Sequence, residues 1–323
     1  MDYVAFRIVY QDHRPSCTPS TPRTYLLAYS TDLDFAKLQF FFDSLYFDLS
    51  ETPLWNTYAN VRLDMKNGDD IRYFNDLESF NQSLNSNPPD PTLGYMDNTT
   101  GSDMLDVLKK FLENTDKLCG STVVITAKRY PNEVELENLI SDLQKNHVFV
   151  YVFSSDTPSG GSNPSAMFNL ATRTNGYCVF SAESYLENMY INAKYLAFIP
   201  IQIIAIKFAV SGTGRQTIPF KMLGNPGGVD YVEFETVFQD HKVDGSLISL
   251  NYTLADEFGN KQSSPNPDDL TAYTGSSLYF RVNNTVQYYL SIDYEYEEGR
   301  EEVLVVRAYS TFFIPDNWLP FDN

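Results

Sequence analysis

The chain has 323 residues, enough for two domains of ordinary size, and its 43% hydrophobic and 15% aromatic residues can fill their cores. A net charge of -19 argues against nucleic acid and anionic membrane surfaces as partners, and no basic patch offsets it. The apolar run over 196–210 contains Pro200, Gln202 and Lys207 and is too short for a bilayer, so no membrane span is expected.

Residues 1–10 alternate like a strand and lack the long apolar core of a signal peptide. The chain is therefore expected to be cytosolic or part of something longer. Residues 2–13 and 230–241 are identical at eight of twelve positions, including the closing Gln-Asp-His. Val4, Phe6, Ile8 and Tyr10 would share one strand face, as would Val232, Phe234, Thr236 and Phe238. A repeat, with further units in a longer parent protein, is the expectation.

Residues 14–23 hold Pro15, Pro19, Pro22 and Cys17 and read as a linker. Residues 25–29 read as a buried strand. Thr31 or Asp32 can cap the helix that follows, which carries Leu33, Phe35, Leu38, Phe41, Phe42, Leu45 and Leu49. Residues 59–65 alternate like a half-buried strand, and Asn67-Gly68 is a turn signal leading to an edge strand over 71–74. A short helix over 77–84 and a long polar loop over 85–100 follow.

The stretch 101–180 organises the chain. Helical spacing of Met104, Leu105, Val107, Leu108, Phe111 and Leu112 precedes an apolar strand over 122–126. Val134, Leu136, Leu139, Ile140 and Leu143 give the next helix, before a strand over 148–153. A helix over 165–174, a strand over 177–180 and a helix over 182–190 complete it. Strands apolar on both faces that alternate with helices predict a doubly wound, mostly parallel α/β sheet, with ligand-binding loops along one edge. Beyond 190 the pattern is strands only: two within 194–210, then 216–222, 231–238, 246–253, 277–282 and a hairpin over 286–309. That pattern predicts an all-β sandwich. The expected division is a strand and linker over 1–23, an α/β domain over 24–190 and a β-sandwich over 191–323.

This order of elements resembles the von Willebrand factor A-like domain, over about residues 24 to 190. The resemblance implies a Rossmann-type sheet with one antiparallel edge strand, supplied here by the 67–68 turn. It also implies a metal-ion-dependent adhesion site, whose first loop reads Asp-x-Ser-x-Ser. Here that loop reads Ala28-Tyr29-Ser30-Thr31-Asp32. The second loop offers Thr99 or Thr100, and in the third Thr126 is followed by Ala127 and Lys128 where an Asp belongs. Two carboxylates are missing and a cation is near, so the site reads as degenerate, with no metal and no other cofactor. Lys128 is expected to neutralise Asp32. The plainer readings are a helix cap for Asp32, a solvated surface pair for Lys128 and Arg129, and a flexible connection for 159–162. Together 29–32, 98–102, 128–132 and 155–162 form the candidate binding rim, with Ser30, Thr31, Asp32, Thr99, Thr100, Lys128, Arg129 and Ser159 as its named residues.

Three cysteines, Cys17, Cys119 and Cys178, leave at least one thiol unpaired within the chain. In the assumed sheet Cys119 and Cys178 begin strands two places apart, about 10 Å, while a bridge needs Cα atoms within about 7 Å. The linker lets Cys17 reach Cys119, which is the favoured pair, with Cys119–Cys178 as the alternative. Sequons at Asn81, Asn98, Asn251 and Asn283 point to a secreted glycoprotein. His13, His147 and His241 are not spaced as a metal pair, and no Gly-x-Ser-x-Gly elbow precedes a helix. The expected function is extracellular binding of a protein or glycan without catalysis. The alternatives are a hydrolase-type enzyme with an unrecognised site and a structural spacer in a repeated array.

Overall fold

Strand β1 (Arg23–Ser30) is buried at every position. A strand with no exposed face needs cover on both sides, and the chain supplies it with helices. The computed structural model describes residues 17–114, 118–185, 196–198, 201–222, 228–264, 270, 272–297, 299–310 and 316–321. The strand expected over 2–10 lies outside them.

Around β1 the chain builds a six-stranded sheet from β2 (Trp55–Leu63), β3 (Arg72–Phe74), β4 (Thr122–Ala127), β5 (Phe149–Ser155) and β6 (Cys178–Ser181), in the order β3-β2-β1-β4-β5-β6. All neighbours run parallel except β3, which pairs antiparallel with β2. The turn feeding β3 has Gly68 at φ 66°, the left-handed conformation expected of its Asn-Gly signal. Helices α1 (Phe35–Ser50), α2 (Leu77–Ser86), α3 (Met104–Leu112), α4 (Glu137–Lys145) and α5 (Pro164–Arg173) connect the strands. The expected cap of α1 is corrected: Asp34 performs it, its side chain accepting from the Ala36 N–H at 3.0 Å. Helix α4 starts later than expected, so Val134 is not on its apolar face but 75% exposed. Of the helix expected over 182–190, residues 183–185 form a single 3-10 turn and 186–190 lie outside the described residues.

The second half forms two four-stranded antiparallel sheets. One joins β8 (Thr213–Lys221), β10 (Leu247–Asp256), β11 (Lys261–Ser264) and β13 (Gln287–Tyr296). The other joins β7 (Ile201–Ser211), β9 (Val229–Val237), β12 (Gly275–Asn283) and β14 (Glu301–Ser310). Val232, Phe234, Thr236 and Phe238 are all buried, as their alternation requires. The described part of 194–210 carries one strand rather than two, and β11 is an edge strand that the pattern did not reveal.

The halves share a core. Val237, Val305 and Tyr309 of the sandwich pack into the cluster formed by the α/β sheet. The fully buried Arg307 donates to the carbonyls of Gly176 at 2.9 Å, Thr172 at 3.1 Å and Ile206 at 3.1 Å. Cys17 is bonded to Cys119, with Cα atoms 5.5 Å apart, which pins the lead-in of β1 to that of β4. Cys178 is free and buried.

Candidate functional site

Parallel strands deliver the loops that follow them to one edge of the sheet. Ser30, Leu63, Ala127 and Ser155 end β1, β2, β4 and β5 there. With Asp34 capping α1, Thr31 and Asp32 are left for tertiary work. Thr31 is buried and exchanges hydrogen bonds with the backbone of Asp90, donating at 2.9 Å and accepting at 3.0 Å.

Arg129 occupies the centre of the rim at 1% exposure. Its Nε and one Nη2 hydrogen go to Asp32 Oδ2 at 3.2 and 3.1 Å. The second Nη2 hydrogen goes to the Tyr95 carbonyl at 3.2 Å, and Nη1 serves the Asp97 and Thr100 carbonyls at 2.9 and 2.8 Å. All five guanidinium N–H groups are thereby used. The guanidinium also stands 5.4 Å from the centre of the Tyr95 ring. Ser159 Oγ donates to the same Asp32 oxygen at 2.6 Å. Packing over the pair is close enough to require glycine. A Cβ at Gly160 would lie 2.0 Å from Arg129 Nη1, and one at Gly94 2.3 Å from Asp32 Oδ1.

Two expectations are corrected. Asp32 is paired with Arg129 and not with Lys128, whose Nζ meets Glu183 at 2.5 Å. Successive residues leaving β4 point to opposite sides, so only one of the two cations turns inward. Nor is Arg129 a solvated surface residue, or Asp32 a helix cap.

The loops are braced to one another. Ser102 N–H donates to the Tyr130 carbonyl at 2.8 Å, Gly161 N–H to that of Asn98 at 3.2 Å, and Asn132 Nδ2 to that of Thr99 at 2.9 Å. Thr99 and Thr100 turn their N–H and O–H groups onto the exposed Asp97 carboxylate, and these hydrogen bonds hold it well below the usual carboxylate range.

Ser30 does not join the Asp32 group. Its Oγ donates to Asp64 Oδ2 at 2.5 Å. Asp64, at the end of β2, is fully buried with φ 67°, and its N–H donates to Asp103 Oδ1 at 2.8 Å. Burial pushes the Asp64 carboxyl up to about 7 and raises Asp103 as well. Sequence reasoning missed Asp64. Its position just past a strand that feeds the ligand edge was the available signal.

The strand order, the antiparallel β3 edge and the alternating helices decide the fold. The first half of the chain is von Willebrand factor A-like. Solved structures similar to the chain include a von Willebrand factor type A protein from Catenulispora acidiphila (9% identity, TM-score 0.40, covering 90% of this chain and 64% of that one). Another is proximal thread matrix protein 1 from the mussel byssus, described with a zinc-occupied adhesion motif (12% identity, TM-score 0.39, 60% and 50% covered). A third is the human COPII-coat protein Sec24c (8% identity, TM-score 0.39, 90% and 44% covered). The chain thus spans between 44% and 64% of the length of these structures. Residues 206–311, in the β-sandwich, match a family model described as a domain of unknown function, DUF7154. No curated protein matches the chain by sequence.

Two measurements check this account of the von Willebrand factor A-like rim. Arg129→Met leaves Asp32 charged beneath the loops and three carbonyls without their donor. It should lower unfolding stability by about 3–5 kcal/mol in urea titrations. Adding Asp32→Asn should recover part of that loss, and an additive double variant would contradict the pairing. For Asp64 the folded pKa lies above the unfolded value of 3.8, so the unfolded chain binds fewer protons between 3.8 and about 7. Stability from this group therefore falls as pH rises through that window. Asp64→Asn, which tolerates positive φ, should lose less melting temperature than the parent between pH 5 and 8.

Proposed function

We propose that the chain is a secreted binding module whose rim engages a protein or glycan without a metal ion. The observation that carries this reading is the Arg129 clamp. A buried guanidinium with every donor used fixes the 94–102, 128–132 and 159–161 loops in one arrangement. A rigid, pre-ordered loop surface loses little conformational entropy on binding. Cation-dependent adhesion needs an anionic seat, and here Arg129 neutralises the Asp32 carboxylate. Around this centre, 80%-exposed Met96 and 75%-exposed Val134 stand among exposed Asn98, Thr99, Asn132 and Glu133. Isolated apolar side chains in a polar rim are suitable anchors for a partner.

Secretion is supported by the sequons. Asn98 and Asn251 are exposed, and Asn81 and Asn283 are partly so. Among the described residues no helix is long and apolar enough to cross a membrane. A glycan on Asn98 would border the binding surface itself.

Protein expressed in a eukaryotic secretory system should lose mass on N-glycosidase treatment, and an unchanged mass would contradict secretion through that route. The same material screened against glycan arrays and displayed extracellular proteins should give hits that survive EDTA. Those hits should weaken at least tenfold in a Met96→Asp, Val134→Asp double variant. Hits abolished by EDTA, or indifferent to the double variant, would remove the rim as the binding surface.

A further inference from the structure

A second cluster of chemistry-bearing residues lies at one end of the β-sandwich, far in sequence from the rim. There the segment after β9 meets the turn between β13 and β14. One donor atom from each of Asp240, His241 and Glu302 falls within 4.8 Å of the others. Glu302 is 2% exposed, so its carboxylate is desolvated and needs a cation or donors.

The tautomer of His241 follows from its neighbours. Nδ1 lies 2.8 Å from the Lys242 carbonyl, which can only accept, so Nδ1 carries the proton. Gln239, itself buried, donates to the same carbonyl at 2.7 Å and holds it in place. In the neutral ring Nε2 is then a lone pair, and it faces the Glu302 oxygens at 3.2 and 3.1 Å. Two acceptors at that separation repel unless a cation lies against both. Arg300 supplies one at present. Its Nε contacts Glu302 Oε1 at 2.6 Å, its Nη2 contacts His241 Nε2 at 2.6 Å, and its Nη1 pairs with Asp244.

This guanidinium is not locked in as Arg129 is. Arg300 is 44% exposed at its side chain. It lines an open cleft of about 470 Å³ together with Ser211, Gly212, Gly299 and Glu301, into which it can swing. Once it leaves, Asp240, Asp244 and Glu302 remain as three carboxylates around one imidazole.

We propose that this cluster is a divalent transition-metal site of the zinc class. His241 Nε2, Glu302 and Asp240 are its protein ligands, and Arg300 is the cation that the metal displaces. Bonds of about 2.0–2.1 Å at a tetrahedral ion put neighbouring ligand atoms roughly 3.3 Å apart, close to the His241–Glu302 separation. A histidine whose Nδ1–H is fixed by a carbonyl is the outer arrangement that metal-bound histidines adopt. The imidazole donor favours zinc-class ions over calcium or magnesium. Gln239-Asp240-His241 is also the tripeptide that recurs at 11–13, so the sequence match retains the adjacent ligand pair.

The test uses the full chain, stripped with chelator. Titration with Zn²⁺ is followed by calorimetry, and titration with Co²⁺ by its visible absorption. The parent should bind one equivalent saturably through this site, with a Co²⁺ band characteristic of low coordination number. His241→Ala should remove that equivalent, and His13→Ala should leave it. Arg300→Ala should tighten binding at least tenfold, because the competing cation is gone. That gain cannot arise from a folding defect, and circular dichroism would verify the fold of His241→Ala. Binding that persists in His241→Ala, is lost in His13→Ala, or is unchanged or weaker in Arg300→Ala would overturn the proposal.

Discussion

A guanidinium cannot be left unpaired in a dry interior, and this constraint shapes the ligand edge of the molecule. Burial of the Arg129 guanidinium is tolerable only with all five donors occupied and a counter-ion in contact. Asp32 is the counter-ion, and the remaining donors fall to the carbonyls of Tyr95, Asp97 and Thr100. Those carbonyls belong to a long connection that has little regular structure of its own. The buried charge thus orders a loop that its own sequence would leave loose. Glycines at 94 and 160 are the corollary, because the chain passes too near the ion pair for a side chain.

The same physics recurs at the junction of the two halves. Arg307 satisfies itself on backbone carbonyls of the α/β unit and the sandwich and fixes one against the other. On neighbouring β9, Glu233 and Glu235 point to the same side and are both buried. Burial raises both carboxyls, and the charge of Glu233 raises Glu235 further, while Ser277 donates to Glu233 at 2.9 Å. In the matching stretch near the N-terminus these two positions are Ala5 and Arg7. The match therefore keeps the apolar face of the strand and changes the face that meets the α/β unit.

Much of the architecture was legible in the chain. Apolar runs such as Val123, Val124 and Ile125 have no polar face to give to water, so they had to lie inside a covered sheet. Alternation in Val232, Phe234 and Thr236 likewise fixed which side of β9 faces inward. Asn67-Gly68 announced its turn because glycine takes positive φ without steric cost, as Gly68 does at 66°. Helix α4 starts beyond Val134, which continues the helical spacing while sitting in a loop, where tertiary hydrogen bonds from Asn163 to Glu133 and Pro131 outweigh local pattern.

By itself, then, the sequence determined the order of the elements in the α/β half up to β6, the class of each half and the set of loops that share an edge, since these depend on local periodicity and the handedness of crossovers. Only the tertiary structure decided that Arg129 rather than Lys128 meets Asp32, that Ser30 turns to Asp64, and that His241 meets Glu302 across 61 residues. Side-chain direction at a strand end depends on where the backbone bends after its last pairing. Pairings between distant residues depend on sheet order, and neither is written in any local run of residues.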